Sequence, residues 1–518
     1  MSSQTRLVPV VIAIGIVLGA LAWLSPGVSS GQELDPLRPL RALRPLSEAP
    51  YTLEELDDLF LEWPTPGTDD YPTIDGRAMQ LDIIEQQEIS RRYRDTVNSQ
   101  YWGRIIGASS DWDSAGWLED RFDDIGLSDV RVQPFDLTPQ WFPQSWTVTV
   151  TTRGGEFRLA TAHPFYRSEG TTGDGLDLEL VYVGLGTEAD FSDRDVAGKA
   201  VLVSALLGLP DEEALERAAE KGAAAIFNAR MLPGNLRYQA YPVATGVPTL
   251  SLGNDDGVAL RELIERGLTP RVRVRLDVEI VRDLRTAMVW GTLPGRSDET
   301  IYVMAHRDGF FDAAGDNASG VAAMIALAQH YAAVAEAGRP RTMIFIGLDG
   351  HHNSGPGFGV GRMWLAANHE TLFDKTALLI NAEHPSTVQT IIRPRYLNRD
   401  DEVIWSNAYT AFHWYAGGDT RPELNRIALD AFREFGISTY LEPNPRAPAG
   451  DLSRVFQFVP GLTTTDFFHY FHSDLETVET VPWTGLQNTT RAYARIIDEV
   501  NTLDLSVLKR PPGTGLDR

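Results

Sequence analysis

Ile301-Tyr302-Val303-Met304-Ala305-His306-Arg307-Asp308 sets an uninterrupted apolar run directly before a histidine, a cation and an acid. A run with no polar position reads as a strand covered on both faces of its sheet. Thr342-Met343-Ile344-Phe345-Ile346 repeats the pattern, and between the two Val321, Met324, Ile325, Ala328 and Tyr331 recur at helical spacing. From Thr286 onward strands and helices alternate, which predicts an α/β fold with a mixed sheet sandwiched by helices. Ligands of such sheets bind outside the carboxyl ends of the strands, so polar residues that follow successive strands converge.

Five polar elements stand out, three of them directly after a strand. His306-Arg307-Asp308 follows the first run, so His306 can bind a metal while Asp308 orients it. Gly315-Asp316-Asn317-Ala318-Ser319-Gly320 opens a helix, and Asp316 can place one oxygen on each of two cations. Leu348-Asp349-Gly350-His351-His352 follows the next strand, Ile380-Asn381-Ala382-Glu383-His384 the one after, and Phe471-His472-Ser473-Asp474-Leu475-Glu476-Thr477 comes last. Nine of the ten histidines lie between residues 306 and 472. Together the elements predict a site for one or two zinc-like metal ions.

Outward from this centre, short strands at Leu180-Val181-Tyr182-Val183, Ala200-Val201-Leu202-Val203 and Ala223 to Phe227, with a helix from Leu215 to Lys221, predict a compact α/β insertion. Upstream, Leu81, Ile84 and Ile89 suggest a helix, Ala115 to Ile125 a second one ending at Gly126, and Val130 to Phe135 an edge strand. Arg6, the apolar stretch Leu7 to Leu24 and the small residues Val28-Ser29-Ser30 read as an export signal, with an uncleaved membrane anchor as the alternative. The expected division is a signal or anchor (1–30), a Pro-rich acidic arm (31–78), the first part of the main domain (79–165), the insertion (166–282), the metal-binding part (283–506) and a tail (507–518). The expected location is outside the cytoplasm, secreted or periplasmic.

A net charge of −25 over 518 residues argues against a nucleic-acid partner, since binding phosphates needs clustered cations. The chain has no cysteine, so neither disulfides nor an acylated cysteine can hold it.

The H-x-D, D-N-A-S-G and H-S-x-x-E-T elements resemble those of the zinc aminopeptidase and glutamate carboxypeptidase family. Gly198-Lys199-Ala200-Val201-Leu202-Val203, Lys221-Gly222-Ala223-Ala224-Ala225-Ile226 and Val247-Pro248-Thr249-Leu250 resemble the protease-associated domain inserted in several of its members. The resemblance covers most of Met79 to Leu505. It implies one metal on His306, Asp316 and Glu383 and another on Asp316, His352 and His472, with Asp316 as the bridge and a peptide or small amide as substrate. Three positions depart from the family. His351 and His352 stand where it has two glutamates, a general base and then a ligand, and Glu383 stands where it usually has Asp. His351 is then the candidate base, since an unperturbed imidazole, with a pKa of ~6.5, can move a proton near neutrality. His384, His413, Asp451 and His469 are secondary candidates for lining the pocket, and His163, His330 and His369 read as ordinary surface or packing residues. The alternatives to peptide hydrolysis are a binding protein that has lost activity and a hydrolase of non-peptide amides.

Overall fold

The computed structural model describes residues 68–205, 212–232, 234–352, 359–393, 402–406, 413–437, 448, 450–465 and 469–509. The signal or anchor, most of the acidic arm and the last residues of the tail fall outside these. Among the described residues no helix is long and apolar enough to cross a membrane.

A seven-stranded mixed sheet carries the site. Across it the strands run His413–Ala416, Gly461–Thr465, Thr376–Ala382, Ser297–His306, Arg341–Leu348, Arg285–Leu293 and Ser128–Asp136. The four from Gly461–Thr465 to Arg341–Leu348 are mutually parallel, and the flanking strands are antiparallel to their neighbours. Alternation along Ser297–His306 explains its continuous apolar run. Ile301, Val303 and Ala305 enter one core cluster and Tyr302 and Met304 the other. Helices Gly76–Thr96, Ser109–Ile125, Ser319–Ala332, Pro422–Glu434 and Trp483–Val500 supply residues to the first cluster, and Val360–Ala367 to the second. Helix Ser109–Ile125 ends as expected, with Gly126 left-handed at φ 84°.

The first helix differs from its expected face. Leu81 is 48% exposed, whereas Gln80 and Gln86 are buried. The amides of Gln80 and Gln86 donate to the carbonyls of Val481 and Ala318, so the buried face includes polar residues that tie down loops. An apolar count cannot see such a face.

A second, eight-stranded sheet contains the strands expected of the insertion, Leu176–Tyr182, Ala200–Ala205, Ala225–Arg230 and Thr249–Leu252, in parallel order. It also takes in Gln140–Thr152, Gly155–Arg158 and His163–Pro164, so this sheet begins upstream of residue 166. Gln140–Thr152 pairs antiparallel with Arg271–Val281 along its whole length, a long-range partnership that local pattern does not disclose.

Ile301, fully buried in the first cluster, tests this packing. Ile301→Ala is expected to lower stability by about 2–5 kcal/mol in denaturant unfolding. A change under about 0.5 kcal/mol would mean the central strand is not packed as described.

Candidate metal centre

The carboxyl ends of the parallel strands deliver the polar elements to one place. His306 closes its strand, His351 and His352 follow Leu348, and Glu383 and His384 follow Ala382. Asp316 lies in the turn that enters helix Ser319–Ala332, and Asp316 and His472 are both buried.

Asp316 is the hub. Its Oδ1 lies 3.1 Å from His306 Nε2 and 3.0 Å from His384 Nε2. Its Oδ2 lies 3.2 Å from His352 Nε2 and 2.7 Å from His472 Nε2. The last two ring nitrogens are themselves 2.9 Å apart, close enough to share a single proton between them. His306 Nε2 and Asp316 Oδ1, despite their proximity and complete burial, make no hydrogen bond of acceptable geometry. Imidazoles converging on one carboxylate form a donor set that zinc accepts. Two groups of possible ligands result: His306, Asp316 and His384 in one, and Asp316, His352 and His472 in the other.

The supporting shell is built from backbone and carboxylates. Asp308 Oδ2 accepts from the His352 backbone N–H at 2.9 Å and sits 2.8 Å from His352 Nδ1, while its Oδ1 accepts from the His351 N–H. One carboxylate thereby fixes both the His351–His352 turn and the ring of His352. Glu476 accepts from the backbone N–H groups of Asp316 at 2.5 Å and His472 at 2.6 Å. Burial and the nearby Asp316 push its carboxyl up to about 8. Arg104, fully buried, donates to the carbonyls of Arg307, Asp312 and Ala313 and so holds the loop between His306 and Asp316.

Charges follow the geometry. Burial alone would raise Asp316, but His384, His352 and His306 around it hold the carboxyl well below the usual range. Burial likewise opposes a proton on His352, yet Asp316 and Asp308 outweigh it and raise the imidazole to about 9. His472 goes the other way, pushed down to about 4 chiefly by burial.

Glu383 and His384 do not take the places implied by family resemblance. His384, with a left-handed φ of 43°, brings its ring to Asp316 Oδ1, where Glu383 is the implied ligand. Glu383 Oε2 accepts instead from Asn381 Nδ2 at 2.6 Å and from the Asp451 N–H at 3.3 Å. Gly450 makes that turn possible: its φ is 65°, and a Cβ there would stand 1.7 Å from Glu383 Oε2. Glu383 still forms a third possible ligand group with His306 and His351. A backbone turn decides which of two adjacent side chains faces Asp316, and sequence order does not encode that turn.

His351 stacks on His306 with ring centroids 4.1 Å apart, and its Nδ1 lies 3.1 Å from Asp451 Oδ1. Arg362 bonds the same oxygen at 3.1 Å. Burial disfavours the Asp451 charge, but His351 and Arg362 keep this carboxyl low and ionised. Asp451 thus orients His351 rather than lining an open pocket. The His469 carbonyl accepts from Arg230. His413 opens an edge strand, but its side chain falls outside the described residues. His163 is a buried packing residue, forced down to about 3 by burial and set against Trp146 and Phe311.

Sequence reasoning missed Tyr241, 38% exposed, whose ring centroid is 5.0 Å from that of His472. It belongs to the second sheet's connections and carries no motif. The roles of Arg104 and Glu476 were equally silent, although Glu476 stands inside a motif.

Residues 288–497 match the family model for peptidase family M28. No curated protein matches the chain. Among solved structures, the chain is similar to BSAP, a zinc aminopeptidase from Bacillus subtilis, at 16% identity and a TM-score of 0.57, covering 84% of this chain and 99% of that one. It is also similar to a peptidase M28 precursor from Shewanella amazonensis SB2B, at 16% identity and a TM-score of 0.61, with 86% and 100% covered. An aminopeptidase from Aneurinibacillus sp. strain AM-1 follows at 18% and 0.52, with 83% and 94% covered. Identities this low establish likeness of fold.

Because His352 holds a proton up to about 9 in the metal-free chain, a cation that takes its Nε2 must displace that proton. The affinity at this position is therefore expected to rise with pH by up to ~10-fold per unit between pH 7 and 9, with at least one proton released per chain at pH 7, since His306, despite its burial, is also held above the usual imidazole range by Asp308 and Asp316. Calorimetry in buffers of different ionisation enthalpy checks this, and binding without proton release would contradict the geometry at His352.

Proposed function

Starting from a peptidase family M28 domain over residues 288–497, we propose that the chain is an exported zinc-dependent exopeptidase that hydrolyses peptide bonds. The observation that carries the proposal is Asp316, with two imidazoles at each of its oxygens. His306 and His384 would hold one zinc ion, His352 and His472 a second, and Asp316 both. Zinc bound there supplies a nucleophilic water at neutral pH and polarises the scissile carbonyl. The fold of the zinc aminopeptidase BSAP supports this reading. The Shewanella relative is named a precursor, which supports export through residues 1–30. We read the second sheet as a protease-associated insertion that begins near residue 140.

His351 takes the place of the family's glutamate base. Ionised Asp451 holds Nδ1 with its proton, so Nε2 is left to accept a proton from the attacking water and return it to the leaving amine. Arg362 keeps Asp451 ionised and in place. The result is a histidine base oriented by a carboxylate instead of a carboxylate base. Glu383 lies beside His306 and His351.

Two experiments test the proposal. Hydrolysis of aminoacyl and peptidyl amides by the purified chain is expected to cease with a chelator and return with zinc. In Asp316→Asn both zinc binding and turnover are expected to be lost; chelator-insensitive turnover would overturn the metal mechanism. For the base, His351→Ala is expected to lower kcat by roughly 10²–10⁴-fold with zinc content intact. Asp451→Asn should cost about 10–100-fold. Unchanged kcat in both would assign the proton transfer to another group.

A further inference from the structure

The other ring nitrogen of a metal-ligating histidine is ordinarily held by a hydrogen bond that sets the ring's direction. His352 Nδ1 has Asp308, and His306 Nδ1 lies 3.1 Å from the Asp308 carbonyl. His472 Nδ1 is buried and has no such partner. The residue also sits at a φ of 58°, a left-handed conformation that a non-glycine residue keeps only where its surroundings impose it. The direction of this imidazole therefore rests on Nε2, on the rings of Tyr241 and Phe310 beside it and on the backbone that carries it.

The second sheet constrains that backbone. Gln239 N–H donates to the His472 carbonyl at 2.9 Å, and Asp474 N–H to the Arg237 carbonyl at 3.2 Å. Tyr238 and Ser473 pair between them as an antiparallel bridge. Arg237 closes the junction: its Nε donates to Asp474 Oδ2 at 2.8 Å and its backbone N–H to Asp474 Oδ1 at 3.0 Å. The Asp474 side chain is 14% exposed, so the pair is partly shielded from water. The Arg237 guanidinium also lies 5.6 Å from the ring of Phe311, in the loop that leads to Asp316. Tyr470 and Phe471, just before His472, are buried in the core cluster of the second sheet, together with Leu236 and Tyr238. The segment bearing this ligand therefore packs as part of the second sheet rather than of the sheet that carries the other ligands.

We propose that the segment Leu236 to Tyr241 is a clamp that sets the direction of the His472 imidazole, with Arg237 as its positioning residue through Asp474. The inserted sheet then completes the metal centre instead of serving as a spacer. The inference rests on the zinc reading above, and concerns only the position formed by Asp316, His352 and His472.

Stepwise zinc affinities of the full chain, measured by competition with a chelating dye, test it. In Arg237→Gln and Asp474→Asn the affinity for one of two zinc ions is expected to fall about 10–100-fold, the scale of lost outer support of a ligand. The affinity for the other ion should stay within ~2-fold, and the double variant should be no weaker than the weaker single one. Arg237→Lys keeps the charge but loses the planar donor fork, so an intermediate loss is expected, and this variant decides the matter if Arg237→Gln does not fold. Wild-type affinities for both ions in the Arg237 variants, or an equal loss at both positions, would overturn the clamp while leaving the zinc reading intact. A wild-type chain that binds no zinc would overturn both.

Discussion

The carboxylate of Asp316 is surrounded by four imidazoles, and most of the surrounding structure serves to keep it so. Two histidines reach each oxygen at 2.7–3.2 Å, in a pocket from which water is largely excluded. Without a compensating charge such a set is costly to bury, since the rings compete for protons and lose their hydration. Support comes from every direction: Asp308 holds the His351–His352 turn, Glu476 ties the backbones of Asp316 and His472, and Arg104 pins the loop between His306 and Asp316. The four parallel strands determine where these groups meet. Their carboxyl ends are the places at which a sheet covered on both faces can present polar side chains without breaking its core.

Much of that plan can be read from residue order. Apolar runs that end in His306 and before Asp349 identify central strands, and the alternation of Ile301, Val303 and Ala305 with Tyr302 and Met304 explains why no polar residue interrupts them. His306, Asp308, Asp316, His351 and His352 are recognisable because each follows a strand or opens a helix, and His472 because it stands in the H-S-x-x-E-T element. What order does not carry is direction. Whether Glu383 or His384 faces Asp316 depends on a left-handed residue at the strand end and on Gly450, far away in sequence, giving Glu383 room to turn aside. Arg104, Tyr241 and Gln86 stand in no motif, and their parts are visible only once long-range contacts bring them beside the loops they hold.

The departures from the family pattern gain a common physical account. Replacing adjacent glutamates by His351 and His352 removes negative charge from the ligand set, while Glu383, His384 and Asp451 redistribute what remains. With zinc bound, a neutral ligand at 352 would leave the centre more cationic and its water more acidic. His351, held by Asp451, stands where that family has its base. The second sheet enters the same account because it carries the chain on both sides of His472.

The central claim is that Asp316 bridges two zinc ions, and anomalous diffraction at the zinc edge from crystals grown with zinc tests it most directly. Two peaks are predicted. One should be bounded by Asp316 Oδ1, His306 and His384, the other by Asp316 Oδ2, His352 and His472. A peak confined to His306, His351 and Glu383, or no peak beside Asp316, would contradict the account.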